Sequence, residues 1–454
     1  MKKLLVATGF ILCGVAATAQ QLPNLGEIHG NFQFDGQYYR KDSLIGTPPV
    51  PEKVLSNGFL NLTYTRGNFY AGLRYESYLN PLNGYPVGYQ GSGIPHRYAG
   101  YTAENFEVTV GNFYEQLGNG LIFRAYEEKN IGIDNSIDGI RMRYQPVKGI
   151  YLKGFIGRQR LFFALGPGLV RGLDAEVSLN ELFPSIADSK FRYTFGGSAV
   201  SKYQADGDPI YILPENVGAF AGRGNFQYQN FSLGGEYAYK INDPSADNGF
   251  IYKRGESILL NVGYAVKGLG ISLTGKRIDN MSFRSDRTAT INNLTLSFLP
   301  ATSKQHTYML SSFYPYATQP NGELGVQGEI AYTFKKGSVL GGKYGTTITL
   351  NYSSVYGLDT TRVADQKLGY TSKFFQPGKH YFEDRNIEVT KKITSKVKAS
   401  YTFMHLFYDK GVIQKPGFDK VYAYINILDV SYKVNKQNTV RVELQHMRTP
   451  QDLG

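Results

Sequence analysis

Charge is densest between Glu115 and Arg143. Arg124, Glu127, Glu128, Asp134, Asp138, Arg141 and Arg143 stand there among Gly111, Gly118, Gly120, Gly132 and Gly139. Opposite charges packed this closely along a pore set up a transverse field that orders water and selects permeants, and glycines let backbone turn inward without a Cβ clash. These seven charged residues are the candidate lumen constriction. The alternative is a salt-bridged brace that stiffens a wall and binds nothing. Catalytic spacing is missing: there is no G-x-S-x-G elbow, H-E-x-x-H pair, Walker loop or cysteine cluster. His29, His96, His306, His380, His405 and His446 are scattered, with no two at metal-ligand spacing. No enzyme, metal or cofactor is expected.

A constriction needs a wall, and the rest of the chain supplies a pattern for one. Runs of about ten residues alternate apolar and polar with period two, the pattern of half-exposed strands. Ile28, Phe32, Phe34 and Tyr38 oppose His29, Asn31, Gln33, Asp35 and Gln37; Leu324, Val326, Ile330 and Tyr332 oppose Gln327, Glu329 and Thr333; Val440, Val442 and Leu444 oppose Arg441, Glu443 and Gln445. Composition agrees. Gly 52, Tyr 36 and Phe 28 against Trp 0, with 19% charged residues, suit pleated surfaces better than helices. No run in the body of the chain approaches the about 20 apolar residues of a spanning helix.

Connection lengths separate a soluble sandwich from a membrane barrel. Short turns at Gly67-Asn68, Gln229-Asn230, Lys267-Gly268 and Lys336-Gly337 alternate with long polar stretches at 80–104, 204–217, 242–255 and 356–379. That asymmetry, with Tyr64, Tyr228, Tyr237, Tyr264, Tyr352 and Phe403 on the apolar face, predicts an all-β fold, an antiparallel transmembrane β-barrel of 20 to 22 or more strands. The strands run from 27–39 to 439–448 and include 119–128, 291–299 and 306–314. With an odd count the first and last strands run the same way, so at least one further C-terminal strand is expected.

Residues 1–19 follow another logic. Lys2 and Lys3 precede an apolar run and Ala17-Thr18-Ala19, which predicts a secretory signal peptide cleaved before Gln20. The sole cysteine, Cys13, would leave with it, and Leu12 before it is not the small residue of a lipoprotein signal. Residues 20–454 then form a single barrel domain, with no N-terminal plug.

Net charge is +12, or +10 once Lys2 and Lys3 are removed. The surplus gathers at the short turns, as at Lys267, Lys335, Lys336, Lys391 and Lys392, where it would meet anionic lipid headgroups. It forms no compact patch with a recognition element, so nucleic acid is excluded as a partner. The expected partners are outer-membrane lipid and either a small polar solute or a surface glycan. The function expected is a channel or transporter for small polar solutes. The alternative is a structural or surface-interaction barrel that presents long, Tyr-rich loops, whose rings give large contact area at low entropy cost.

The signal peptide followed directly by alternating strands resembles outer-membrane β-barrel proteins of Gram-negative bacteria. The segments GNFYEQLGNGLIFRAYEEKNIGID (Gly111 to Asp134) and LGGKYGTTITLNYS (Leu340 to Ser353) are similar to those of an uncharacterised barrel family of the Bacteroidota. The resemblance implies fold and outer-membrane location, and carries over no catalytic or binding residue.

Overall fold

A strand with one apolar and one polar face must cover the first and wet or pair the second. Here neighbouring strands do so by joining edge to edge around an interior. The computed structural model describes residues 25–42, 44, 46, 52–414 and 416–450. The segment 1–19, with Cys13, lies outside the described residues.

In chain order the strands are β1 (Glu27–Tyr38), β2 (Val54–Arg66), β3 (Phe69–Asn80), β4 (Gly91–Thr102), β5 (Phe106–Phe113), β6 (Glu127–Glu128), β7 (Ile133–Asp134), β8 (Ile137–Tyr144), β9 (Ile150–Leu161) and β10 (Ala164–Ser178). They continue with β11 (Phe191–Tyr203), β12 (Asn216–Tyr228), β13 (Phe231–Lys240), β14 (Gly255–Val266), β15 (Leu269–Asp279), β16 (Gly322–Phe334), β17 (Thr346–Arg362), β18 (Tyr370–Lys392), β19 (Val397–Asp409), β20 (Lys420–Lys433) and β21 (Thr439–Arg448). All but β6 and β7, a small hairpin of their own, belong to one 19-stranded sheet. Each sheet strand pairs antiparallel with the next, β5 passing to β8 across residues 114–136. β1 and β21 therefore run in the same direction, and they do not pair with each other among the described residues.

Among the described residues the sheet has 19 strands, against the 21 placed from sequence, because three expected strands leave it and one enters. Residues 119–128, 291–299 and 306–314 lie outside the sheet. Alternation at Leu294 and Leu296 is real, but these residues are 2% and 0% exposed inside the barrel, not on its outer face. The strand that enters is β4, inside the expected loop 80–104. Its sequence GSGIPHRYAGYT has no apolar period, yet it pairs with β3 from Phe69↔Tyr101 to Tyr78↔Gly91. The expected loop 356–379 is also mostly strand: β17 and β18 continue as a tall hairpin joined through 363–369.

The faces fall as alternation requires. Ile28, Phe32, Leu173, Leu260, Val442 and Leu444 are exposed on the outside, whereas Arg74, Glu76, Asp174, Lys202, Glu236 and Lys276 point inward and are buried. Aromatic rings ladder across the outer face at both ends. Phe191 stacks on Tyr228 at 4.3 Å near the short turns. Tyr356, His380 and Phe407 stack at 4.4 and 4.5 Å near the long connections, the two levels at which interface girdles lie.

Candidate functional site

Two segments leave the wall at the long-connection end and fold into the interior: 114–136, between β5 and β8, and 280–321, between β15 and β16. The first carries an unbroken apolar run instead of alternation, which suits burial on all sides. Leu117, Leu121, Ile122 and Phe123 are each 0% exposed. They pack with inward residues of the wall, Phe155, Val170, Val217, Ala238 and Ile278, and with Met281, Phe283 and Leu296 of the second segment. Each such side chain contributes about 1.5–3 kcal/mol on burial, so docking is strongly favoured.

Backbone turns make the approach possible. Gly118 and Gly120 have φ of 54° and 90°, where a side chain would be strained, and Asn119 between them donates its backbone N–H to Glu236 Oε2 at 2.7 Å. Gly139 serves differently, since a Cβ there would overlap the Ile156 carbonyl. The segments also bond each other: Arg124 N donates to Leu296 O at 2.8 Å and Phe298 N to Gly120 O at 2.9 Å. The remainder of 280–321 crosses the opposite wall. There Tyr316 joins an apolar cluster with Val355, Phe382, Met404, Val421 and Ile425, and His306 Nε2 meets Asp384 Oδ2 at 2.7 Å.

Charge fixes the first segment to the wall. Arg74 on β3 binds Glu76 at 2.6 Å, Glu127 at 2.8 Å and Asp134. Arg160 on β9 binds Glu76 at 2.5 Å and Asp134 at 2.6 Å. The Arg160 and Glu76 side chains are each 1% exposed. Toward the short-turn end the lumen opens onto a second, wetter set. Arg141 binds Glu107, and Arg143 and Lys153 reach Glu115 at 2.7 and 3.3 Å. Across the wall Arg223 bridges Asp174 and Glu176 at 2.7 and 2.9 Å.

The structure brings together five of the seven sequence-derived constriction residues. Glu127, Asp134, Arg141 and Arg143 sit in these ion pairs, and Arg124 lies 4.0 Å above the Phe298 ring centroid. Two are corrected. Asp138 shares alternation phase with the exposed Ile140 and Met142 and turns outward to Arg97, 3.2 Å away. Glu128 is exposed and only caps a helical turn, accepting from Asn130 N at 3.4 Å. Sequence reasoning missed Arg160, because it stands in phase with outward Ile156 and Arg158. The bulge opposite, between Leu165 and Leu169, breaks the phase and lets it turn inward.

The two carboxylates of the inserted hairpin titrate in opposite senses. Burial resists ionisation of Asp134, but Arg160 and Arg74 outweigh it and hold the carboxyl below the usual range. At Glu127 burial prevails over Arg74 and the pKa is raised. Asp134 therefore adds docking stability that is complete above the ordinary Asp pKa of about 3.9 and is lost as pH falls through the lower folded value. Ionised Glu127 opposes docking, and that opposition fades as pH falls through its raised value. Protease cleavage at Lys129 should thus not increase between pH 7 and 5, and should rise only in stronger acid. Release already at pH 6 would contradict this arrangement.

A strictly sequential antiparallel sheet with an apolar exterior, a charged interior and inserts from one end defines a transmembrane β-barrel whose lumen is narrowed by its own chain. Over residues 1–454 the chain belongs to a family of unknown function, DUF6029. No curated protein matches it. Among solved structures it is similar to a BenF-like porin from Pseudomonas fluorescens Pf-5, at 12% identity and TM-score 0.43 over 92% of this chain and 98% of that one. It is similar also to the outer membrane protein OprD of Pseudomonas aeruginosa, at 13% identity and TM-score 0.39 over 93% and 92%. A third is Wzi, a carbohydrate-binding β-barrel involved in group 1 capsule assembly in Escherichia coli, at 10% identity and TM-score 0.36 over 84% and 79%.

Proposed function

We propose that the protein is an outer-membrane β-barrel of a Gram-negative bacterium of the Bacteroidota, begun at Gln20 after loss of residues 1–19, that passes small polar solutes. In this reading residues 20–454 are one domain, the long connections face outside, the short turns face the periplasm, and Arg124, Glu127, Asp134, Arg141 and Arg143 line or brace the constriction. The observation that carries it is the contrast around the inner face. Inward residues of β8 to β15 in the half toward the long connections, such as Val217, Ala238 and Ile278, are buried beneath the inserts, whereas His29, Asn31, Gln33, Arg441 and Glu443 on β1 and β21 stay exposed. A polar, water-accessible strip therefore runs along β1 and the lower part of β21, up to where Gln445 accepts from Leu310 N of the second insert at 2.8 Å.

Conductance of the purified protein in a planar bilayer tests the channel. Discrete steps are expected, growing severalfold when residues 288–298 are replaced by a short glycine linker. Protease treatment of intact cells tests the location: cleavage within 363–369 supports it, and selective cleavage at Lys336 or Lys391 overturns the orientation. A second reading, a surface-interaction barrel, is favoured by the two apolar clusters that fill the lumen near the long connections. Absence of conductance both with and without the insert would select it.

A further inference from the structure

We propose that the outer face of β4, β8, β9 and β10 is a binding site for the phosphate groups of an anionic glycolipid in the outer leaflet. This rests on the outer-membrane reading above. Arg97, Arg158 and Arg171 all point outward and are exposed, each between inward neighbours that are buried or half-buried: His96 and Tyr98, Gly157 and Gln159, Val170 and Gly172. Register gathers them. Asp138 on β8 lies directly opposite Arg158 on β9, and Arg97 reaches Asp138 at 3.2 Å. Arg158 faces Leu169, so Arg171 is its diagonal neighbour on β10, within about 7–8 Å. Three outward arginines therefore cluster around one carboxylate, which pairs with Arg97, leaving an excess of two positive charges on a wall otherwise faced here by Ile140, Ile156 and Leu173.

The height of the wall places lipid headgroups at that level. β5 and β8 have 8 residues each, against 12 in β9 and 13 in β11. Eight residues tilted by roughly 45° rise about 19 Å, short of the apolar band of about 25 Å that such barrels present. The bilayer must thin against this side, which draws the headgroups down to the row of Asp138, the second residue of β8. Arginines facing hydrocarbon would be costly, and arginines meeting phosphate form paired, charge-assisted hydrogen bonds. Arg171 lies one row lower, a gap that a long guanidinium side chain can span by reaching upward.

Native mass spectrometry of the purified full chain in detergent tests the site, with a diphosphorylated lipid A as probe and the same glycolipid stripped of phosphate as control. The wild type should retain the phosphorylated form preferentially. Arg158→Gln and Arg171→Gln should each weaken retention about fivefold, the effects adding in the double variant. Arg385→Gln, which removes an exposed outward arginine on β18, should leave it unchanged. Equal retention of both lipids overturns the proposal, as does an Arg385→Gln loss matching that of Arg158→Gln. So does a lipid-free oligomer that Arg158→Gln dissociates, which would make this face a contact between copies. The measurement uses purified protein, so a failed location test on cells would leave its outcome standing.

Discussion

Arg160→Met should destabilise the protein by about 3–5 kcal/mol, the usual cost of removing one partner from a buried ion pair. The loss is not that of one hydrogen bond. Arg160 donates to Glu76 at 2.5 and 2.9 Å, to Asp134 at 2.6 Å and, through Nε, to the Phe162 carbonyl at 2.6 Å. Without it Glu76, itself 0% exposed, and Asp134 must share Arg74 with Glu127. Denaturant unfolding of protein refolded into lipid vesicles would show the shift in midpoint. Because Asp134 belongs to the inserted segment, the variant should also expose Lys129 to trypsin. Adding Glu76→Gln should recover part of the loss, since it removes the stranded charge. Arg192→Met, an exposed inward arginine on β11, should change stability by less than about 0.5 kcal/mol. Equal effects at Arg160 and Arg192 would mean the buried network does not hold the insert.

Val326→Arg should cost about 2–4 kcal/mol near the bilayer midplane, whereas Gln327→Arg, one residue along β16, should cost less than about 1 kcal/mol. The two positions differ only in the face they present. Val326 is on the outer wall, 38% exposed beside outward Ile330, and must meet hydrocarbon. Gln327 points inward and donates to Asn351 Oδ1 at 3.2 Å, where water and neighbouring carboxylates can solvate a guanidinium. The same vesicle refolding titration reads both. Similar costs on the two faces would sink the transmembrane assignment, because a soluble shell would not distinguish them in this direction.

How much of this was legible in the sequence follows from what alternation can encode. The period of two determined which residues of the strand beginning at Ile28, or of Val440, Val442 and Leu444, face out, because successive Cβ atoms of a strand point to opposite sides. Turn residues such as Lys267-Gly268 determined where hairpins close, since Gly268 takes a φ of 86°. The charge between Glu115 and Arg143 marked one half of the interior network. What alternation cannot encode is the medium each face meets. Leu294 and Leu296 alternate like wall residues, yet both are buried inside, Leu296 in one cluster with Phe283 and Phe123, and only the curving of the wall around them decided between lipid and core. β4 lacks the period altogether and is a strand because the backbone edge of β3 needs a partner. Arg160 turns inward against its phase beside a bulge, Asp138 faces outward in phase with Ile140 and Met142, and the other half of the network, Arg74 and Glu76, stands roughly 60 residues earlier in the chain than Asp134. Such pairs are made by the circumference of the barrel, which no local spacing records.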